Sequence, residues 1–224
     1  MLNNSALQAK DWLLVADGEP LTKARLAPYL LDHRIMVLDG AYQHACEQKL
    51  AIDILLGDFD SIAPTALQQA AASGIQVIHA PNQNYTDVEK GIYHLDRLQA
   101  KSIRLCAATG LRLQHTLYNL RGLKKYYRDD CLLQIITPRE VIQYAEDTQI
   151  IINGKVNENI AILGFPVATV SSEGLQYEMN NCVLEFEKFA SISNTLLQTQ
   201  ATLMIQGGAL IIREIASVNV SREI

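Results

Sequence analysis

The sequence predicts an open, mostly parallel α/β sheet followed by an all-β sandwich. Short apolar runs alternate with helix-like segments over the first 137 residues or so, which is the pattern of a sheet wrapped by helices. Beyond Pro138 the helix-like segments stop, and short β-rich runs separated by turn signals take over. The change of texture sets domains of 1–138 and 139–224, with no long linker between them.

In the first part, WLLVA (12–16), IMVL (35–38), IDILL (52–56), IQVIH (75–79), IRLCAA (103–108) and LLQII (132–136) read as strands. Several are apolar throughout, as strands buried on both faces of a parallel sheet are, so the sheet is of open, Rossmann-like type. A helix starts at Pro64, because proline suits a first helical position. Another starts at Thr86, where Thr86-Asp87-Val88-Glu89 fits a capping box and Val88, Ile92 and Leu95 follow helical spacing. A third runs through His115–Leu120. In the second part VIQYA, QIIIN, IAILGF, ATVSS, QATLMIQ and ALIIREI read as short strands, with Asn153-Gly154 and Gly207-Gly208 as turns.

Composition narrows the function. With 49% hydrophobic residues, 19% charged residues and a net charge of -5, the chain has a sizeable core and no basic face for nucleic acid. Cys46, Cys106, Cys131 and Cys182 form no CxxC pair and read as small buried apolar groups in a reducing compartment. The start, MLNNSALQAKDW, has no apolar signal-peptide core, and no apolar run nears the roughly 18 residues that span a membrane. The reading is of a cytoplasmic chain with no membrane partner.

The chemistry is sought at strand ends. GxGxxG, GxxxxGK[ST] and HExxH are all absent. Acidic residues instead follow the apolar runs: Asp17, Asp39, then Asp58 and Asp60 in LLGDFDSI, with Asp87 opening the next helix. Ligands of open α/β sheets bind outside the carboxyl ends of the strands. Two unit charges about 4 Å apart repel by roughly 4 kcal/mol at an effective dielectric near 20. Such a rim is costly unless a cation binds or some of the carboxylates are protonated, and oxygen ligands favour a hard ion, Mg²⁺ or a relative. A lone Asp after a strand reads equally as a turn or cap residue, and Asp87 as the acid of a first helical turn. His115 at a helix start reads, taken alone, as structural; Arg112 three residues before it, just past Thr109-Gly110, adds the reading of an anion site.

The motifs LDGA (38–41), LLGDFDSI (55–62), NQNYTDVEKG (82–91), TGLRLQHTLYNL (109–120), EGLQYEMNN (173–181) and SISNT (191–195) occur in that order. Together they resemble the thiamine pyrophosphokinase family over nearly the whole chain. The resemblance implies a homodimer that transfers the pyrophosphoryl group of ATP to the hydroxyl of thiamine, giving thiamine diphosphate and AMP, with Mg²⁺. It implies Asp58, Asp60 and Asp87 as catalytic metal ligands and Arg112 as a further catalytic group. Asp39, Lys90, Thr109, Gly110, Arg112 and His115 fall to the nucleotide, and Gln83, Tyr177, Ser193 and Asn194 to thiamine. The chain departs from the family pattern at Ala41, Asn82, Leu111 and Gln114, where a second glycine, an aspartate, another glycine and another aspartate are usual. Asn82 and Gln114 leave a thiamine- or nucleotide-binding protein with weak or no catalysis as the alternative. A phosphatase using Asp58 as nucleophile does not suit a motif after the third strand, and a DxD glycosyltransferase does not suit the TDVEK motif.

Overall fold

The computed structural model describes residues 11–60 and 62–214. Over them the chain divides into two units, the first ending at Pro138 and the second beginning at Arg139. The amino-terminal segment read for a leader lies largely outside the described residues.

The first unit alternates strand and helix. Its elements are β1 (Asp11–Val15), α1 (Lys23–Leu30), β2 (Arg34–Leu38), α2 (Tyr42–Glu47), β3 (Ile54–Gly57), α3 (Pro64–Ala72), β4 (Gln76–His79), α4 (Asp87–Arg97), β5 (Ser102–Cys106), α5 (Leu113–Lys125) and β6 (Leu132–Ile136). The strands lie in the order β6-β5-β1-β2-β3-β4, and every pair is parallel. Trp12, Leu13, Leu14, Met36, Val37, Ile54 and Leu55 have no exposed surface, because helices cover both faces of these strands. The chain moves outward from β1 to β4 and then returns to place β5 on the other side of β1. That reversal opens a crevice at the carboxyl ends of β1 and β5.

Two sequence signals set the entry to α4. The Thr86 hydroxyl accepts from the Glu89 N–H, and the Glu89 carboxylate accepts from the Thr86 N–H, completing the capping box. Gly91 lets the helix lie close on the sheet, since a Cβ there would stand 2.9 Å from a Leu14 methyl. Pro64 occupies the first turn of α3, as expected. The helices α1 and α2 carried no named signal. The first contains Pro28 within its length, and the second is only 6 residues long.

The second unit is antiparallel and has no helix among the described residues. It comprises β7 (Glu140–Asn153), β8 (Asn159–Glu173), β9 (Cys182–Glu185), β10 (Ser191–Thr195) and β11 (Gln200–Glu214), in the order β10-β8-β11-β7 with β9 also on β8. The six short runs of the sequence are thus three long strands. Gly207-Gly208 is not a turn between two of them. It is a kink inside β11, where the register slips against both β7 and β8. Gly207 has a φ of +79°, and a Cβ on Gly208 would lie 1.9 Å from the Tyr144 hydroxyl oxygen. The opposing residue, Asp147, also has positive φ, and its carboxylate accepts the Gly207 N–H at 2.7 Å.

These slips divide each long strand into two halves. Ile160, Ile162, Ala209 and Ile211 of one half share a single buried cluster with Ile152, Val170, Leu203 and Ile205 of the other. The bent strands therefore close on themselves face to face, as a sandwich does.

Candidate active site

Three loops at the carboxyl ends of the strands build the site. The first leaves β1. Gly18 N donates to Ala107 O at 2.6 Å, and Glu19 N donates to Thr109 O at 2.7 Å, tying this loop to the one after β5. A Cβ on Gly18 would stand 2.3 Å from Ala107 O, so only glycine permits the approach. The second loop leaves β2 through a short 3₁₀ turn at Asp39–Ala41. The third leaves β3 through Asp58-Phe59-Asp60.

The second and third loops meet at Asp39, which is buried. Its carboxylate accepts from Gly40 N at 2.9 Å and from Phe59 N at 3.0 Å. Phe59 has a φ of +63°, and a Cβ on Gly57 would lie 2.2 Å from the Asp39 carboxylate. The glycine before the Asp pair is thus required by the packing of Asp39. Asp39, Asp58 and Asp60 each offer an oxygen within 4.8 Å of the others.

Burial pushes the Asp39 carboxyl above its ordinary range, and the nearby Asp87 and Asp58 charges add to this, while the two N–H bonds oppose it. Asp58 moves the other way. Gln83 Nε2 donates to its carboxylate at 2.7 Å, and with the Asp60 N–H and the Lys90 charge this holds its pKa low. Asp87 stands outside the three-oxygen cluster. It pairs with Lys90 at 2.8 Å, and the Lys90 side chain is nearly buried. The observed cluster and the expected set of Asp58, Asp60 and Asp87 therefore share two members, with Asp39 as the third oxygen donor.

A cleft of about 610 Å³ runs from this cluster to the start of α5. Asp39, Asp58, Gln83, Asp87, Lys90, Thr109, Arg112 and His115 line it, together with Asp17 and Gln114. Burial raises the Asp17 carboxyl, partly offset by the Arg112 charge. Gly110 is not among the residues that line the cleft; its φ of +98° turns the loop between Thr109 and Leu111, which are. The helix α5 begins at Arg112 with no side-chain cap and no acid in its first turn, which leaves its first N–H groups for an anion. Three acidic oxygens at one end and a basic helix start at the other suit a metal-bound phosphate chain.

In the second unit Tyr177 is 67% exposed, at the loop between β8 and β9. Asn194, by contrast, is 1% exposed. Its amide accepts from Tyr177 N at 3.0 Å and donates to Tyr177 O at 2.8 Å. Glu178 accepts from Gly174 N and Leu175 N in the same loop, and from the Ser172 hydroxyl. Ser193 is exposed beside the clamp.

Residues 29–135 match the family model of the thiamin pyrophosphokinase catalytic domain, and residues 147–210 match that of the thiamin pyrophosphokinase vitamin B1 binding domain. The chain belongs to the thiamine pyrophosphokinase family. With the family comes its enzyme class, a diphosphotransferase. Thiamin pyrophosphokinase 1 of Caenorhabditis elegans is 27% identical over 91% of this chain and 87% of its own. Thiamine pyrophosphokinase of Bacillus subtilis is 26% identical over 69% of this chain and 74% of its own. Among solved structures, a thiamine pyrophosphokinase from Bacillus subtilis superposes with a TM-score of 0.81 at 21% identity, over 92% of this chain and 100% of its own. A thiamin pyrophosphokinase from Candida albicans gives 0.80 at 17% identity, over 94% of this chain and 90% of its own. At these identities the two structures bear on the fold.

Two supports of this site carried no role in it at the level of sequence, where Glu89 reads only as part of a capping box. Glu89, 4% exposed, joins α4 to α5 by accepting from Lys125 at 2.7 Å, Tyr126 at 2.9 Å and Tyr118 at 3.2 Å. Burial alone would raise its pKa, but the bonds from Lys125, Tyr126 and Thr86 outweigh this and hold it low. Asn119 donates to Ala108 O at 2.8 Å and pins the loop after β5. Both residues lie in quoted motifs, TDVEK and HTLYNL, where the helical spacing already placed them. Of the departures from the family pattern, Asn82 closes a local turn by accepting from Asn84 N at 2.9 Å, as an aspartate would.

Proposed function

We propose that this chain catalyses transfer of the pyrophosphoryl group of ATP to the hydroxyl of thiamine, releasing AMP, as a cytoplasmic homodimer. The observation that carries the reading is the cleft in which Asp39 and Asp58, two members of the Asp39–Asp58–Asp60 cluster, share a wall with Arg112 and the open start of α5. Three carboxylates, one of them buried with a raised pKa, are a poor arrangement for the bare protein and a good one for a hard divalent cation. The donor set therefore fits Mg²⁺, with Asp58 and Asp60 as ligands, Asp39 as the supporting carboxylate and Asp87 beside them. When bound, Mg²⁺ supplies charge neutralisation for the phosphates.

The remaining work falls to the chain. Arg112, His115 and the N–H groups of α5 bind phosphate oxygens and stabilise the charge that develops in the transition state. Thr109 and Gly110 hold the adjoining loop. Lys90 keeps Asp87 in place. Gln83 fixes Asp58 and faces the thiamine side. Attack in line on the β-phosphorus needs positioning more than covalent help. Tyr177 and Ser193 contact thiamine across the dimer, the aromatic ring suiting the thiazolium cation. Asn194 acts on thiamine only through the Tyr177 backbone.

The test is direct. Incubation with ATP, Mg²⁺ and thiamine yields AMP and thiamine diphosphate in equal amounts. AMP without thiamine diphosphate would assign another acceptor, and thiamine binding without turnover would assign a binding protein.

A further inference from the structure

The turn that carries Asp58 and Asp60 is strained. Phe59, between them, has a φ of +63°, a left-handed conformation that a residue with a bulky side chain keeps only where its surroundings hold it. Two backbone N–H groups shape the turn. Phe59 N donates to the buried Asp39 carboxylate at 3.0 Å, and Asp60 N donates to Asp58 Oδ1 at 3.4 Å. Both bonds end on carboxylates of the cluster itself.

A further contact comes from outside the cluster. His79 is the last residue of β4, the edge strand of the sheet, and lies opposite Gly57, the last residue of β3. Its imidazole stacks on the Phe59 ring, with centroids 5.9 Å apart and planes inclined by 24°. The backbone beneath the imidazole is fixed, because Ala80 N donates to Gly57 O at 2.7 Å and carries the pairing with β3 one step beyond His79. Phe59 is half-buried and His79 is exposed, so the stack lies at the surface, where a change at residue 79 spares the core. His79 falls between the motifs LLGDFDSI and NQNYTDVEKG, and nothing in the proposed transfer uses it.

We propose that His79 is a positioning residue for the metal site: by stacking on Phe59 it holds the strained turn in which Asp58 and Asp60 present their oxygens to one cation. An aromatic pair in this geometry offsets part of the strain in the turn. Without the imidazole ring, Phe59 relaxes toward negative φ, and a reversal of φ between two ligands turns their carboxylates apart. In this role His79 touches neither the ion nor a substrate and acts through Phe59. The inference rests on the metal reading of the aspartate cluster.

The test is equilibrium binding of Mn²⁺, a hard cation that takes the same oxygen ligands as Mg²⁺, to the full chain without substrates, read beside steady-state turnover. His79→Ala weakens Mn²⁺ binding about fivefold and lowers kcat at a fixed, subsaturating Mg²⁺ concentration, while the KM for thiamine holds within about twofold. His79→Phe keeps a ring face and restores both. In a Phe59→Leu background, where the stack is already gone, His79→Ala adds less than about a twofold loss. Wild-type Mn²⁺ affinity in His79→Ala would overturn the proposal and leave the metal reading standing. A His79→Phe variant as weak as His79→Ala would assign the effect to the imidazole nitrogens and overturn the stack. An undiminished loss in the Phe59→Leu background would overturn action through Phe59. Absence of Mn²⁺ binding by wild type would overturn the metal reading itself, and the proposal with it.

Discussion

In the α/β unit, charged side chains are held by backbone. Asp39 takes N–H groups from Gly40 and Phe59, and the loops that present it close through Gly18 and Gly57, where no side chain fits. In the β-rich unit the relation is reversed. Asn194 and Glu178 are side chains that hold backbone, and the group they display, Tyr177, is held through its backbone N–H and C=O rather than through its side chain. The difference separates two kinds of fault. Removing a charge from the first unit should damage chemistry and spare the fold. Removing a clamp from the second should damage stability and binding and spare chemistry.

Asp58→Asn is the sharpest way to break that comparison. It removes a negative charge from the cluster but keeps an acceptor for Gln83. Turnover should fall about 10³-fold or more, with stability within about 1 kcal/mol of wild type. Near-normal turnover would remove Asp58 from the metal site. Glu89→Gln tests a support inside the same unit. Because five groups reach this buried carboxylate, the Thr86 N–H, Tyr118, Arg121, Lys125 and Tyr126, the variant should lose about 2 kcal/mol at neutral pH. The Glu89 pKa is lower in the folded state than its ordinary 4.5, so its contribution is full above that value and is lost as pH falls through the folded pKa. The gap between variant and wild type in thermal unfolding should therefore close in acid. A gap that widened there would contradict the sign.

In the second unit the clamp and the displayed group should part company. Asn194→Ala should cost about 1–3 kcal/mol, because it orphans two backbone groups of Tyr177. Tyr177→Ala should leave stability within about 0.5 kcal/mol and raise the KM for thiamine while kcat changes little. An unchanged KM would take Tyr177 out of the thiamine site. Mixing Asp58→Asn with Tyr177→Ala protomers should restore turnover with the wild-type KM for thiamine if the site is shared between subunits, and leave only the raised KM of Tyr177→Ala if each chain works alone.

Most of the first unit was legible because its strands are largely apolar and two of its helices carry start signals, Pro64 in a first turn and Thr86 as a cap. The strand-end aspartates were legible for the same reason, since knowing where a strand ends locates the crevice. What sequence spacing does not encode is distance across loops. Asp39 joins the oxygen cluster because Gly57 admits it and Phe59 takes a positive φ, whereas Asp87 is turned to Lys90. In the second unit local turn chemistry misled: Gly207-Gly208 reads as a hairpin, and only the Tyr144 side chain packed on it shows why glycine is needed inside a strand. Asn194 was visible as a motif residue, but a buried clamp and a ligand contact ask for the same amide.

The smallest expected effect concerns the start of α5. Gln114 is the second residue of that helix, where an acid interacts favourably with the helix dipole and where none is present. Gln114→Asp should therefore raise stability by about 0.5 kcal/mol, or about 1–2 °C in Tm for a chain of this size. The new carboxylate also lies in the cleft, near Arg112 and His115, where it can restrain the Arg112 guanidinium or compete with phosphate for it. Since the family pattern carries an aspartate at this position, restraint should prevail. Activity should be equal to or modestly above wild type, with the gain in kcat rather than in the KM for thiamine. A variant that is more stable yet fully inactive would show that Gln114 is not the counterpart of that aspartate, and would move the phosphate-binding role away from the first turn of α5.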